Sequence, residues 1–257
     1  MKKQVWLTAY DAPTAELLEE AGVDAILVGD SLGMVVLGYE TTKPVTVEEM
    51  LHHIRAVRRG TKKTPIIGDL PLKGVEKGPR QALISSKRFM DAGCDVVKLE
   101  WQKDFFETLD LLKRNKIPVM GHLGLTPQSL KKGERFGLRA ESTSEAKQLL
   151  EHALEAEKRG ARSILLECIP WPLAKEVSSR LKIPTIGIGA GPYCDGQVLV
   201  FQDMIGTFQK FKPRFVKRYT SLHPLMKKAV EKYTQEVRAG SFPGMKHSFK
   251  AGEERSA

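Results

Sequence analysis

The stretch VVKLE (96–100) decides how this chain reads: a short, continuously apolar run that closes on charged side chains, Lys98 and Glu100. Strands buried on both faces of a parallel sheet have this unbroken apolar character, whereas half-exposed strands alternate. Four other runs share the pattern. AILVGD (25–30) closes on Asp30, PIIGD (65–69) on Asp69, PVMGH (118–122) on His122 and ILLE (164–167) on Glu167. Polar and charged groups are rarely tolerated at the end of a buried strand unless they are paired or functional. Five in series point to a site.

Between these runs lie helix-like stretches. TAELLEEAG (14–22) places Leu17, Leu18 and Ala21 on one predicted face, and VTVEEMLHHIRAVRRG (45–60) opens with Thr46 and Glu49 at capping-box spacing. Gly22, Gly60, Gly93 and Gly160 follow helical patterns where left-handed C-caps are expected. Repeated βα units give either a doubly wound sheet or a closed barrel. Seven clear strands, with QVLVFQDMIG (197–206) as a weak eighth, favour a single (β/α)8 TIM barrel. No glycine-rich dinucleotide fingerprint follows the first strand, VWLTAY (5–10), which counts against the doubly wound alternative. GIGAG (187–191) reads as a tight turn near a ligand. The longest irregular stretches, 31–45 and 125–142, each follow a strand with a polar end and read as lids or binding loops. One long helix is expected from His223 to Gly240, followed by a polar tail, with no domain boundary over 1–257.

Composition narrows the class. The chain has 257 residues, 41% hydrophobic and 28% charged, which suits a soluble globular protein rather than a disordered one. No run approaches the roughly 20 apolar residues of a membrane span, and the N-terminus lacks a signal-peptide pattern, so a cytoplasmic protein without membrane contact is expected. Three cysteines without CxxC spacing imply neither a disulfide framework nor a zinc knuckle. The formal charge of +10 raises nucleic-acid binding. Its basic residues are spread along helices and interleaved with Glu, as in EAEKRGAR (155–162), which favours solvated helix faces and steering of an anionic substrate.

In a barrel every strand's C-terminal end opens on one face, so Asp30, Asp69, Lys98, Glu100, His122 and Glu167 would ring a single mouth. Two Asp and a third carboxylate form a hard oxygen site suited to Mg2+, which keeps waters and leaves room for a chelating 2-oxo acid. Metal coordination of a keto oxygen stabilises the enolate formed when the neighbouring C–H is deprotonated. Glu167 is the candidate base, and Lys98 the partner of a carboxylate or developing oxyanion. Each residue also has a plainer reading. Asp30 and Asp69 could be turn residues, His122 a hydrogen-bonded core histidine, and Lys98 and Glu100 a salt-bridged pair on one strand face.

The chain resembles the ketopantoate hydroxymethyltransferase family. The resemblance rests on LTAYD (7–11), LVGDSLGMVVLGYETTKPVTVEEM (27–50), DLP (69–71), AGCDVVKLE (92–100), PVMGHLGLTPQS (118–129), LLECIP (165–170), IPTIGIGAGPYCDGQVLVFQD (183–203) and HSF (247–249). It implies a (β/α)8 barrel in a homo-oligomer, typically a decamer. The implied reaction carries a hydroxymethyl group from methylene-tetrahydrofolate to 3-methyl-2-oxobutanoate, forming ketopantoate for pantothenate biosynthesis through a Mg2+-stabilised enolate. By this resemblance Asp30 and Asp69 hold Mg2+ with Glu100 nearby, acting through water. Ser31 and Lys98 bind the oxo acid, His122 lines the pocket and Glu167 is the base. Trp101 directly after KLE, the stretch LKKGERFGLRAES (130–142) and Lys246 depart from the family pattern, at folate contacts and subunit packing rather than at the metal.

Overall fold

Each apolar run forms a strand in the computed structural model, which describes residues 2–130, 134 and 137–251. In chain order the first half comprises β1 (Gln4–Thr8), α1 (Ala12–Glu20), β2 (Ala25–Val28), α2 (Leu32–Val35), α3 (Val47–Gly60), β3 (Ile66–Asp69), α4 (Leu72–Val75), α5 (Pro79–Asp91) and β4 (Val96–Glu100). The second comprises α6 (Phe105–Arg114), β5 (Val119–Gly124), α7 (Thr143–Arg159), β6 (Ser163–Glu167), α8 (Trp171–Arg180), β7 (Thr185–Ile188), β8 (Gly196–Leu199), α9 (Phe201–Met204) and α10 (Leu222–Arg238). All eight strands pair in parallel and in sequence order, and β8 returns to β1 to close the barrel. The expected (β/α)8 architecture is what forms.

The barrel is filled rather than hollow. Trp6, Ala25, Leu27, Ile67, Met120, Leu165, Ile186 and Val198 make one buried cluster drawn from seven of the eight strands, the layered side-chain filling that such barrels require. The expected weak eighth strand is short: it pairs with β1 at four positions and with β7 at two.

Local chemistry explains several helix boundaries. Thr46 accepts from the Glu49 amide at 3.2 Å while Glu49 bonds back to the Thr46 amide at 2.7 Å, the reciprocal box expected for α3. Gly22, Gly93 and Gly160 adopt positive φ after α1, α5 and α7. Gly60 does not. It stays helical at the end of α3, and a Cβ there would sit 2.2 Å from the Ala12 carbonyl oxygen, so close approach to α1 accounts for this glycine. On α1 the buried residues are Ala15 and Leu18, whereas Leu17 is half exposed, which corrects the expected face.

The chain divides into two compact units, Met1–Phe201 with Pro213–Val216, which carries the barrel, and Gln202–Lys212 with Lys217–Ala257. In the second unit α10 forms where one long helix was expected. Among the described residues no helix is long and apolar enough to cross a membrane.

Candidate active site

Strand register builds the site. The β3–β4 register sets Asp69 opposite Lys98, β4–β5 sets Glu100 opposite His122, and β5–β6 sets Gly124 opposite Glu167. Asp30 lies two residues past the end of β2, and its backbone N–H donates to Asp69 Oδ2 at 3.1 Å. All six strand-end residues except Glu167 are buried, and the Glu167 side chain is 16% exposed. Gly124 at the end of β5 has φ +98°, and a Cβ there would meet the Glu167 carbonyl oxygen at 2.2 Å, so only glycine lets these two strand ends approach.

Lys98 Nζ donates to Asp69 Oδ2 at 2.6 Å, with both side chains almost fully buried. The alternative of a Lys98–Glu100 pair is not formed: Glu100 Oε1 accepts from the Gln128 backbone N–H at 2.9 Å, and its Oε2 stands 3.5 Å from His122 Nδ1. His122 Nε2 is 3.1 Å from Glu167 Oε2. Neither ring nitrogen is aligned for a hydrogen bond, so His122 sits between two carboxylates as an ion-pair partner.

Burial and charge compete throughout. Burial pushes Asp69 up to about 7, against the pull of Lys98. For Lys98 burial acts to lower the pKa, but Asp69, Asp30 and Glu100 outweigh it and hold the ammonium above the usual lysine range. We take Lys98 as charged, because three carboxylates face it and one bonds it directly. Burial raises Glu100 above the usual carboxylate range despite His122. His122 is lowered by burial and by Lys98, yet Glu100 and Glu167 bring it up to about 9, so the ring is a cation at neutral pH.

Two further residues join the site. Gln128, in a 3-10 turn at Pro127–Ser129, is 5% exposed and donates through Nε2 to Asp30 Oδ2 at 2.9 Å and to the Leu70 carbonyl at 3.0 Å. Its signal was its place in PVMGHLGLTPQS, on the loop after β5. Tyr10, 1% exposed, hydrogen-bonds Ser31 Oγ through its hydroxyl at 2.9 Å and so fixes that side chain beside Asp30. The ring of Trp101 turns away to stack on His152, with centroids 3.8 Å apart, and borders a cavity of about 150 Å³ lined also by Arg139, Glu145 and Gln148.

Asp30 and Asp69 are the residues that could hold a cation. Asp69 Oδ1 is buried without a hydrogen-bond partner, an oxygen whose burial is costly unless something coordinates it. Among the described residues no three of His, Cys, Asp and Glu are gathered closely enough to enclose a metal. Two protein carboxylates completed by water and substrate oxygens match the habit of Mg2+ and not that of zinc. The donor set fits.

A parallel (β/α)8 barrel with acids, a lysine and a histidine cation converging on the C-terminal ends of its strands is a TIM-barrel enzyme. A sequence profile described as ketopantoate hydroxymethyltransferase matches residues 1–245. The chain belongs to the ketopantoate hydroxymethyltransferase family. It is 50% identical over 248 residues to 3-methyl-2-oxobutanoate hydroxymethyltransferase of Thermus thermophilus, covering 96% of this chain and 95% of the relative. Identity to the enzyme of that name from Enterococcus faecalis is 45% over 254 residues, with 98% and 92% covered. Among solved structures, 2,3-dimethylmalate lyase, a PEP mutase/isocitrate lyase superfamily member, aligns with TM-score 0.61 at 17% identity over 97% of this chain and 87% of that one. A phosphonopyruvate hydrolase solved with oxalate and Mg2+ aligns with TM-score 0.60 at 14% identity over 95% and 88%. At those identities the likeness establishes the fold alone.

Proposed function

We propose that the protein forms ketopantoate by transferring a hydroxymethyl group from methylene-tetrahydrofolate to 3-methyl-2-oxobutanoate, with Asp30 and Asp69 holding Mg2+ and Glu100 bearing on it through water. The observation that carries this reading is the partnerless Asp69 Oδ1 beside the Lys98 ammonium, with Glu167 held by His122. When bound, Mg2+ would polarise the keto oxygen and acidify the neighbouring C–H. Lys98 neutralises the substrate carboxylate, and the Ser31 hydroxyl, fixed by Tyr10, donates to the same anion.

Glu167 takes the proton from the carbon next to the keto group. His122 orients it by pairing with Oε2, which leaves the other oxygen for that proton. The carbon so activated attacks the one-carbon unit, water supplies the hydroxyl oxygen, and tetrahydrofolate departs. The same reading makes the protein a cytoplasmic homo-oligomer, a decamer by family resemblance, which light scattering of the purified protein checks.

The deciding experiment measures turnover of 3-methyl-2-oxobutanoate with and without methylene-tetrahydrofolate and Mg2+. Ketopantoate should form only when both are present. Cleavage or condensation of a 2-oxo acid without folate would instead make the protein a metal-dependent lyase or aldolase.

A further inference from the structure

Gln128 stands out among buried polar groups that the proposed chemistry does not use. Both hydrogens of its amide are committed, one to Asp30 Oδ2 and one to the Leu70 carbonyl. Each neighbour is an acceptor, so the nitrogen must face them and the amide cannot be flipped. Its backbone N–H holds Glu100 Oε1. One residue therefore ties the segment after β2, the end of β4 and the residue after β3.

The consequence for the carboxylates is symmetric. Gln128 occupies Oδ2 of Asp30, as Lys98 occupies Oδ2 of Asp69. Asp69 Oδ2 accepts a second bond from the Asp30 amide, so both its lone pairs are taken, and Gln128 takes one of those on Asp30 Oδ2; on each aspartate Oδ1 is the freer oxygen to meet a cation.

We propose that Gln128 is a positioning residue for the cation site, which holds Asp30 by its Oδ2 so that Oδ1 is turned to the metal, and couples the turn at Pro127–Ser129 to that metal. This rests on the reading of Asp30 and Asp69 as cation ligands. Partners of this kind that hold a ligating carboxylate from outside typically change metal affinity by about 10–100-fold when removed. A competing role is purely structural, with Gln128 serving only to pin its loop. That loop has a second tether, the Lys43 ammonium on the Leu130 carbonyl, which touches neither aspartate.

The test uses Mn2+ as the probe and the full-length protein, with affinity read from the electron paramagnetic resonance signal of free Mn2+. Gln128→Met, similar in volume but without a donor, should weaken Mn2+ binding by about 10–100-fold. Lys43→Met, which loosens the loop alone, should leave it unchanged. If Gln128→Met does not fold, Gln128→Leu removes the donor with a shorter apolar side chain, and the same loss is expected. Unchanged affinity in the Gln128 variants, or an equal loss in Lys43→Met, overturns the proposal while the metal reading stands. Failure of the unaltered protein to bind Mn2+ would overturn both.

Discussion

Replacing Lys98 by Met tests how the site balances burial against charge. The variant deletes a 2.6 Å bond between two side chains that are 6% and 2% exposed and leaves Asp69 with one donor, the Asp30 amide at 3.1 Å. Were Asp69 to stay ionised, an uncompensated buried charge would cost about 3–5 kcal/mol. It need not, because burial already brings its pKa to about 7 with Lys98 opposing, and without Lys98 it rises further. A neutral carboxylic acid at pH 7 limits the loss to that of the charged hydrogen bond, about 1.5–3 kcal/mol.

The pH dependence has a definite sign. A folded pKa above the unfolded value of about 3.9 means that the folded state keeps a proton the unfolded state has released, so stability falls as pH rises through that window. The original protein stops losing stability from this group near pH 7, whereas the variant continues. The gap between them should widen by up to about 1.4 kcal/mol per pH unit from pH 7 to pH 9. Thermal unfolding in EDTA at pH 6, 7, 8 and 9 measures it. Adding Asp69→Asn to Lys98→Met should recover stability at pH 9, since no charge is then left unpaired. A gap that does not change with pH, or a double variant less stable than the single one, would mean that Lys98 does not compensate the Asp69 charge.

Glu19 accepts from the hydroxyl and amide of Thr64 and from the amides of Lys62 and Lys63, which hold its pKa down to about 2. Its contribution is present above the unfolded value of about 4.3 and is lost as pH falls toward 2, so Glu19→Gln should lower Tm at pH 6 and match the original protein near pH 2. Gly60→Ala should destabilise by about 1–3 kcal/mol in chemical denaturation, because the added Cβ meets the Ala12 carbonyl at 2.2 Å. A gain of about 0.4–1 kcal/mol, as expected of an unhindered Gly→Ala, would show that contact to be relaxed. Burial lowers the pKa of His152 beneath the stacked Trp101 ring, and Trp101→Ala should return it upward in an NMR titration. No upward movement would mean that Trp101 does not shield it.

The barrel was legible because its strands are unbroken apolar runs with abrupt polar ends, a pattern that a doubly covered parallel strand imposes. The same ends named the site, since parallel register carries Asp69 to Lys98 and Glu100 to His122 without further information. Other features left no such trace. Gln128 is an uncharged amide on a loop, where no periodicity marks a buried side chain, and only the fold brings it to Asp30. Gly60 looks in sequence like any helix-ending glycine, because a left-handed turn and a close approach ask for the same residue. Leu17 and Leu18 are adjacent on a nine-residue helix, and which of them faces inward depends on the direction from which α3 approaches. His122, which closes the fourth apolar run along the chain, reads in sequence as a pocket wall or a core histidine; its place between Glu100 and Glu167 makes it a buried cation, which no strand pattern reveals.

The proposed chemistry turns on Glu167 removing a proton from a metal-activated oxo acid. Proton NMR of 3-methyl-2-oxobutanoate in D2O, with protein and Mg2+ but no folate, reads that step alone. The signal of the hydrogen next to the keto group should disappear with the original protein, persist when EDTA is added, and persist with Glu167→Gln even though that variant still binds Mn2+. Exchange at the original rate in Glu167→Gln would show that another group removes the proton.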